Sequence, residues 1–278
     1  MRTLFFGTSA FAVPSMRVVA ERTELAGVVT QPDRPAGRGQ KLAQSPVKAA
    51  ALELGLRVYE PLRLRAFARE LAAQPFDLFA LASYGRILPQ ALLDLPRLGA
   101  LNVHPSLLPR YRGATPIQTA LRNGDTQTGV SVMLMDAGMD TGDLVLQQPV
   151  AIAPGDDYAS LHDRLAQAGA SLLGRAIELA RRGAMTPTPQ LGEPSTTKPI
   201  VKEDLELHWD WPAQRIVDHV RAYSPQPAAR AQLCGETVKV LRAHVGPDGG
   251  VVVDELIAPN RGRMSGAAFA RSRGSAGA

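Results

Sequence analysis

The segment NVHPSLLPRYRG, residues 102–113, places an asparagine and a histidine two positions apart where an apolar run meets a proline. Side chains alternate faces along a strand, so Asn102 and His104 are expected to project to the same side. Pro105 favours extended backbone at His104 and ends the strand, which puts the pair at the strand's carboxyl end. An amide donor beside an imidazole, in the crevice where open α/β sheets bind ligands, can stabilise an oxyanion and move a proton. The structural alternative is that Asn102 caps a turn and His104 hydrogen bonds to a local carbonyl.

A second candidate element is the acidic loop MDAGMDTGD, residues 135–143, between two apolar segments. One of its carboxylates could hydrogen bond to His104 and fix its tautomer. Asp136 follows one apolar segment and Asp143 precedes the next, so each has a turn or capping role as its alternative. Asp140, in mid-loop, has the weakest structural reason to be acidic. The spacing by itself does not choose among the three carboxylates.

Other catalytic classes receive little support from the sequence. The five histidines are scattered without metal-ligand spacing, so no metal is expected. The first glycine-containing stretch, FFGTSAFAVPS, lacks the G-x-G-x-x-G pattern of dinucleotide binding. Ser106 is not part of a G-x-S-x-G nucleophile elbow. His219, on a predicted amphipathic helix, is expected at the surface.

The elements that must position these residues alternate between buried strands and amphipathic helices. Strands are predicted at 3–7, 25–30, 77–83 and 99–104, and helices at 10–22, 45–55, 63–73 and 115–123. This alternation predicts a doubly wound, mostly parallel, Rossmann-like sheet of the α/β class. Segments 129–136 and 143–152 are joined by a short loop that suits an antiparallel pair, so the sheet is expected to be mixed.

The chain is long enough for two domains. A helix over residues 157–182 is expected to close a catalytic domain of residues 1–183. Residues 184–206 are rich in Pro, Thr and Ser and predict a linker. A small β-rich domain is predicted for residues 207–278, and its last fifteen residues, rich in Gly, Ala, Ser and Arg, are expected to be disordered.

Composition limits the class of protein. The chain has 278 residues, 45% hydrophobic content, a net charge of +5 and a single cysteine, Cys234. One cysteine excludes an internal disulfide framework and favours a cytoplasmic protein. No apolar run approaches the length of about 18 residues that predicts a membrane span, so no membrane partner is expected. Residues 31–48 and the region after Glu255 are both rich in basic residues, which favours a phosphate-bearing partner.

The stretches NVHPSLLPRYRGATPIQ and GVSVMLMDAGMDTGD together resemble the folate-dependent formyltransferases, and Asn102, His104 and Asp140 fall on the catalytic Asn, His and Asp of that family. The resemblance implies that 10-formyltetrahydrofolate donates a formyl group to an amine. It also implies two folate-contacting segments, which comprise Ser106, Leu107, Leu108 and Pro109, and then Tyr84, Gly85, Ile87 and Leu88.

Two further stretches resemble the branch of this family that formylates methionyl-initiator tRNA. TQPDRPAGRGQKLAQSPVKAAA is similar to the branch's basic loop, in which Arg38 matches the key arginine and Arg34 and Lys41 are expected to meet tRNA. WDWPAQRIVDHVRAYSPQP is similar to the start of its OB-like C-terminal domain, which is abbreviated here after GETVKVLRAHV. A monomer that binds folate and initiator tRNA is expected.

Two alternatives stay open. Other members of the family act on amino-sugar nucleotides or other small amines with the same core motifs. An RNA-binding protein with an inactive enzyme core is an alternative of another class, which the intact Asn102, His104 and Asp140 disfavour.

Overall fold

A computed structural model describes residues 1–36 and 41–274 of the chain. Arg38 lies outside the described residues, and Lys41 is described by its backbone alone. The chain divides by contacts into two compact units. Unit 1 comprises residues 1–112, 129–150 and 163–196, and unit 2 comprises residues 113–128, 151–162 and the chain from Thr197 onward.

The described residues form the following elements. The strands are β1 Arg2–Gly7, β2 Glu24–Val29, β3 Arg34–Ala36, β4 Lys41–Ala43, β5 Val58–Tyr59, β6 Leu78–Ala82, β7 Ala100–His104, β8 Arg112–Gly113, β9 Gln127–Leu134, β10 Leu144–Ala151, β11 Thr196–Thr197, β12 Ala229–Leu233, β13 Glu236–Val245, β14 Val251–Ala258 and β15 Gly262–Ser265. The helices are α1 Ala12–Arg22, α2 Pro46–Glu53, α3 Leu64–Leu71, α4 Gln90–Leu93, α5 Pro116–Arg122, α6 Tyr158–Arg181, α7 Ala213–Tyr223 and α8 Gly266–Gly274.

A seven-stranded sheet in the order β10-β9-β7-β6-β1-β2-β5 forms the centre of unit 1. The neighbours from β7 to β5 run parallel, whereas β9 runs antiparallel to β7. The predicted doubly wound, mixed Rossmann-like sheet is therefore confirmed. Strand β6 (LFALA) is buried at every position, as expected for a central parallel strand with both faces covered.

Local sequence signals explain how the helices begin and pack. Ser45 caps α2 by accepting a hydrogen bond from the backbone N of Lys48 at 3.0 Å, and Pro46 occupies the first helical position. Helix α3 buries Leu64, Phe67 and Leu71 on one face against the sheet core. These helices cover the sheet. Because β6 and β7 pair in parallel, their carboxyl ends lie side by side at the same edge of the sheet.

Unit 2 contains a four-stranded antiparallel sheet in the order β12-β13-β14-β15, which confirms the prediction of a small β-rich C-terminal part. Helix α7 packs on this sheet, and α5, from the first half of the sequence, packs against α7. Arg122 of α5 donates to the hydroxyl of Tyr223 at 3.2 Å.

Part of the stretch expected to be disordered forms a helix. Residues 266–274 form α8, whereas residues 275–278 lie outside the described residues. Phe269 of this helix is fully buried in the apolar cluster between α7 and the sheet. Burial of an aromatic side chain in a core stabilises a terminus that is otherwise polar and rich in glycine.

His219 is buried, so the expectation of a surface position was wrong. Its ring packs 5.1 Å from Trp211 and 4.9 Å from Tyr223, centroid to centroid. Burial lowers the pKa of His219 to about 4, so the ring is neutral at physiological pH. In the part of the chain that the structure describes, no helix is long and apolar enough to cross a bilayer.

Replacing Phe269 by Ala should lower the free energy of unfolding of unit 2 by about 3–5 kcal/mol, because a fully buried aromatic ring is lost and a cavity remains. Both tryptophans, Trp209 and Trp211, lie in unit 2, so urea unfolding followed by tryptophan fluorescence reports on this unit. Ala267→Ser, at an exposed position of the same helix, is the control and should change little. Equal, small effects of both substitutions would show that α8 does not contribute to the fold.

Candidate active site

The imidazole of His104 lies at the carboxyl end of β7, and its side chain is 5% exposed. Its Nε2 is 2.9 Å from the carbonyl oxygen of Tyr111. A carbonyl only accepts, so this contact requires the proton to be on Nε2. Its Nδ1 is 3.6 Å from Oδ2 of Asp140, which is longer than a hydrogen bond but within the range of an ion pair. The ring is thus held at one nitrogen and faces a carboxylate with the other.

Asn102 precedes His104 by two positions and is the partly exposed residue of an otherwise buried strand. Because alternate residues of a strand share a face, its amide projects to the same side as the imidazole. The site therefore combines an amide donor, an imidazole and a carboxylate at one edge of the sheet. This set can stabilise a developing oxyanion and transfer a proton.

The structure distinguishes the three acids of residues 135–143. Asp136 shapes the loop, since its Oδ1 accepts from the backbone N of Gly138 at 2.9 Å and from Oγ1 of Thr141 at 2.7 Å. The side chain of Asp143 is exposed where β10 begins. Asp140 is the carboxylate that faces His104. Tertiary structure makes the choice that the sequence spacing left open.

Left-handed backbone occurs at three non-glycine residues around this edge. Ser83 follows β6, Tyr111 follows β7 and Asp140 follows β9, with φ of 43°, 58° and 54°. Such conformations persist where the surrounding structure fixes them, and they are enriched at functional sites. At Tyr111 and Asp140 they occur in the two residues that contact the imidazole.

The loop after β7 is braced by side chains from neighbouring strands. Oγ of Ser131 donates to the carbonyl of Ser106 at 2.7 Å and accepts from the backbone N of Leu108 at 3.1 Å. Nε2 of Gln147 donates to Ser131 Oγ at 2.8 Å and to the carbonyl of Leu108 at 2.9 Å. The predicted folate-contacting residues Ser106, Leu108 and Pro109 have buried side chains, and Leu107 packs on Gly129. These side chains set the path of the loop from within.

The second predicted folate segment follows β6. The ring of Tyr84 is buried against Phe6, and its carbonyl accepts from Thr8 Oγ1 at 2.9 Å and Gln31 Nε2 at 2.8 Å. Burial raises the pKa of the Tyr84 phenol. Gly85 has φ of 76°, Leu88 is buried, and Ile87 presents a side chain that is 78% exposed.

The basic segment forms a short hairpin of β3 and β4. At its base, Nζ of Lys48 is 2.8 Å from both Asp33 Oδ2 and Glu60 Oε2, and these hydrogen bonds raise the pKa of Lys48. The side chain of Arg34 is exposed and donates to Gln31 Oε1. Because Gln31 also donates to the Tyr84 carbonyl, one glutamine joins the hairpin base to the segment after β6.

Sequence reasoning missed four residues that shape this site. They are Arg112, Ser131, Gln147 and Gln190. Arg112 lay within the quoted RYRG stretch but had no assigned role, and no spacing rule connects the other three to His104. In the part of the chain that the structure describes, no group of three or more His, Cys, Asp or Glu side chains could hold a metal ion.

Comparisons with known proteins agree over most of the chain. Residues 1–177 match the formyl transferase family, and residues 199–251 match the formyl transferase C-terminal domain family. The methionyl-tRNA formyltransferase of Acidovorax ebreus is 47% identical over 256 residues, covering 86% of this chain and 78% of that protein. The methionyl-tRNA formyltransferase of Xylella fastidiosa is 47% identical over 247 residues, covering 87% and 80%.

Solved structures share the fold at low sequence identity. An N-formyltransferase from Helicobacter canadensis, in complex with folinic acid and dTDP-3-aminofucose, has a TM-score of 0.68 at 17% identity, covering 88% of this chain and 87% of that one. The sugar 3-N-formyltransferase WlaRD, with dTDP and 5-N-formyl-tetrahydrofolate, has a TM-score of 0.68 at 18% identity, covering 89% and 87%.

Ser131→Ala should lower the free energy of unfolding by about 1–3 kcal/mol, because the buried backbone N of Leu108 loses its acceptor. Urea unfolding followed by far-ultraviolet circular dichroism measures the change. Thr3→Val in the same sheet is the matched control, since the buried Thr3 hydroxyl has no hydrogen-bond partner among the described residues. Losses of the same size for both variants would contradict the bracing role of Ser131.

Proposed function

Because the chain belongs to the formyl transferase family, we propose that it transfers the formyl group of 10-formyltetrahydrofolate to the α-amino group of methionyl-initiator tRNA. The protein is thus a one-carbon transferase of translation initiation. The observation that carries the chemistry is the position of Asp140 opposite Nδ1 of a buried His104, at the strand end that also bears Asn102.

The reaction exchanges one bond to the formyl carbon for another. A bond forms between the methionyl nitrogen and the formyl carbon, and the bond from that carbon to N10 of the folate breaks. The methionyl nitrogen loses one proton and N10 gains one, which gives formyl-methionyl-tRNA and tetrahydrofolate. The amine must be neutral to attack, and an α-amino group with a pKa of about 7.7–8.0 supplies a useful neutral fraction at pH 7.

Each of the three polar residues has a role that its position supports. Asn102 donates a hydrogen bond to the negative charge that develops on the formyl oxygen. His104 is fixed at Nε2 by the Tyr111 carbonyl. When its Nδ1 carries a proton, that nitrogen donates a second hydrogen bond to the formyl oxygen. Asp140 orients the imidazole and assists removal of the proton from the attacking amine.

The folate would lie along the segments that follow β6 and β7. Main-chain groups of Tyr84–Leu88 would line the pterin pocket, because the side chains of Tyr84 and Leu88 are turned into the protein. Ser106–Pro109 would contact the folate from the loop after β7. The exposed side chain of Ile87 offers an apolar surface for the flat pterin ring. No metal takes part in this proposal.

The basic hairpin supplies the tRNA contact in this proposal. Arg34, Arg38 and Lys41 would meet phosphates near the acceptor end of the tRNA, which makes binding salt-dependent. The ion pairs of Lys48 with Asp33 and Glu60 support this role, since they fix the hairpin base on unit 1.

We extend the proposal to organisation and location. Residues 1–183 form the catalytic domain, residues 184–206 connect it to the second, and residues 207–278 form an abbreviated, OB-like domain that contacts tRNA. A cytoplasmic monomer fits a single-cysteine enzyme that acts on aminoacyl-tRNA. The amino-sugar alternative has less support, because the sugar-modifying neighbours are only 17–18% identical and share the fold alone.

Asn102→Ala should leave a folded protein whose kcat is lower by about 10²–10³-fold, because one oxyanion donor is removed. The measurement is formation of formyl-methionine from 10-formyltetrahydrofolate and initiator tRNA charged with labelled methionine. Retained binding of tetrahydrofolate serves as the folding control. A wild-type protein that binds folate but formylates no methionyl-tRNA would redirect the proposal to another amine.

Arg38→Ala and Arg34→Ala should each raise KM for methionyl-tRNA and reduce the salt dependence of kcat/KM, while folate affinity stays unchanged. The magnitude of the slope of log(kcat/KM) against log[salt] should fall by about one for each positive charge that is removed. Arg65→Ala, an exposed arginine on α3, is the charge-matched control. Parallel loss of folate and tRNA affinity would contradict the assigned role.

A further inference from the structure

Part of the predicted linker is hydrogen bonded to the loops of the site. Thr188 and Leu144 exchange backbone hydrogen bonds of 2.7 and 2.9 Å. Further along, Ser195 donates its backbone N to the Pro109 carbonyl at 3.2 Å, and its Oγ accepts from the backbone N of Tyr111 at 2.9 Å. All of these residues belong to unit 1, so this stretch runs along both the loop after β7 and the start of β10.

Gln190 lies between these two attachments and contacts the acidic loop directly. Its Nε2 donates to the carbonyl of Asp140 at 2.9 Å and to the carbonyl of Gly142 at 2.8 Å. Its Oε1 accepts from Nε and from one terminal nitrogen of Arg112, at 3.1 and 2.7 Å. One amide therefore links the loop after β7 to the loop after β9.

The chemistry of these partners fixes the orientation of the amide. Two carbonyls require donors, and a guanidinium requires an acceptor, so the NH₂ group must face the loop and the oxygen must face Arg112. Both hydrogens of the NH₂ group are then used. Among side chains of this size, a glutamine satisfies all three partners, whereas a glutamate would set a negative oxygen against two carbonyls.

The same contact acts on the backbone that carries Asp140. Asp140 has φ of 54°, a conformation that an aspartate adopts at some cost. The loop is also closely packed at Gly142, since a Cβ there would lie 1.9 Å from the Leu134 carbonyl oxygen. Hydrogen bonds from Gln190 to the carbonyls of residues 140 and 142 restrain the same turn.

We propose that Gln190 is a positioning residue for formyl transfer, which acts by holding the Asp140 carboxylate opposite Nδ1 of His104. This inference rests on the proposed function, in which that pair moves the proton. Gln190 touches neither reactant; its effect passes through the backbone of Asp140. An ångström-scale displacement of a catalytic group can cost about 10²-fold in rate, so the contact has kinetic consequences.

The test compares kcat and KM of Gln190→Ala and Gln190→Glu with wild type. Both variants should lower kcat by about 10- to 100-fold while KM for tRNA and for folate stays within a few-fold. Gln190→Glu should be at least as impaired as Gln190→Ala, although it keeps the contact with Arg112. Leu191→Ala, the exposed neighbour in the same segment, is the matched control and should retain wild-type kcat.

A double-mutant cycle separates positioning from plain structural support. If Gln190 acts through the Asp140 carboxylate, adding Gln190→Ala to Asp140→Asn should lower the single-turnover rate little further. Additive losses would overturn the proposal. So would a Gln190→Ala variant with wild-type kcat, or a glutamate variant much milder than the alanine variant.

Failure of this inference is distinguishable from failure of the proposed function. The assay of the wild-type protein identifies the amine acceptor. Absence of formyl-methionyl-tRNA would reject the proposed function but would not test the role of Gln190. In that case the same variants are compared with the amine that the wild-type protein does formylate. The contact from Gln190 to Asp140 predicts the same kcat loss with any amine acceptor.

Discussion

The imidazole of His104 donates to the Tyr111 carbonyl at one nitrogen and faces the Asp140 carboxylate with the other, and the loops of the candidate site are arranged around these two contacts. The acceptors come from different loops, so both loops must keep their shape for either contact to exist. The parallel pairing of β6 with β7 and the antiparallel pairing of β7 with β9 bring the loops to one edge. An arrangement of this kind fixes polar groups in advance, which is the condition that electrostatic catalysis requires.

Irregular loops near a sheet edge carry backbone groups that need partners. Here polar side chains supply many of them: Ser131 and Gln147 for the loop after β7, and Gln190 for the loop after β9. Each forms at least two hydrogen bonds, either to loop backbone or to another of these side chains. These hydrogen bonds restrain loops whose backbone is not paired in the sheet. The predicted linker contributes directly, because Gln190 and Ser195 belong to it.

Unit 2 shows how a short chain closes a small sheet. Four antiparallel strands leave an apolar face that α7 and α8 cover, with Phe269, Ile216 and Val220 in the same cluster. His219 was expected at the surface, because an imidazole on an amphipathic helix is a polar side chain. Its ring instead packs against Trp211 and Tyr223. Burial lowers the pKa of His219, so it behaves as a neutral aromatic side chain.

The sequence by itself determined the elements and the chemical types. Continuous apolar runs and helical periodicity predicted the central strands and the main helices, and Asn-x-His-Pro placed two polar groups on one face at a strand end. The tertiary structure decided the contact of the Asp140 carboxylate with His104, the burial of the Tyr84 and Ser106 side chains, and the contact of Gln190 with a loop 50 residues away. Periodicity and turn chemistry act over a few residues and so leave a local pattern. A hydrogen bond between distant segments depends on how the fold brings those segments together, so it produces no local pattern in the sequence.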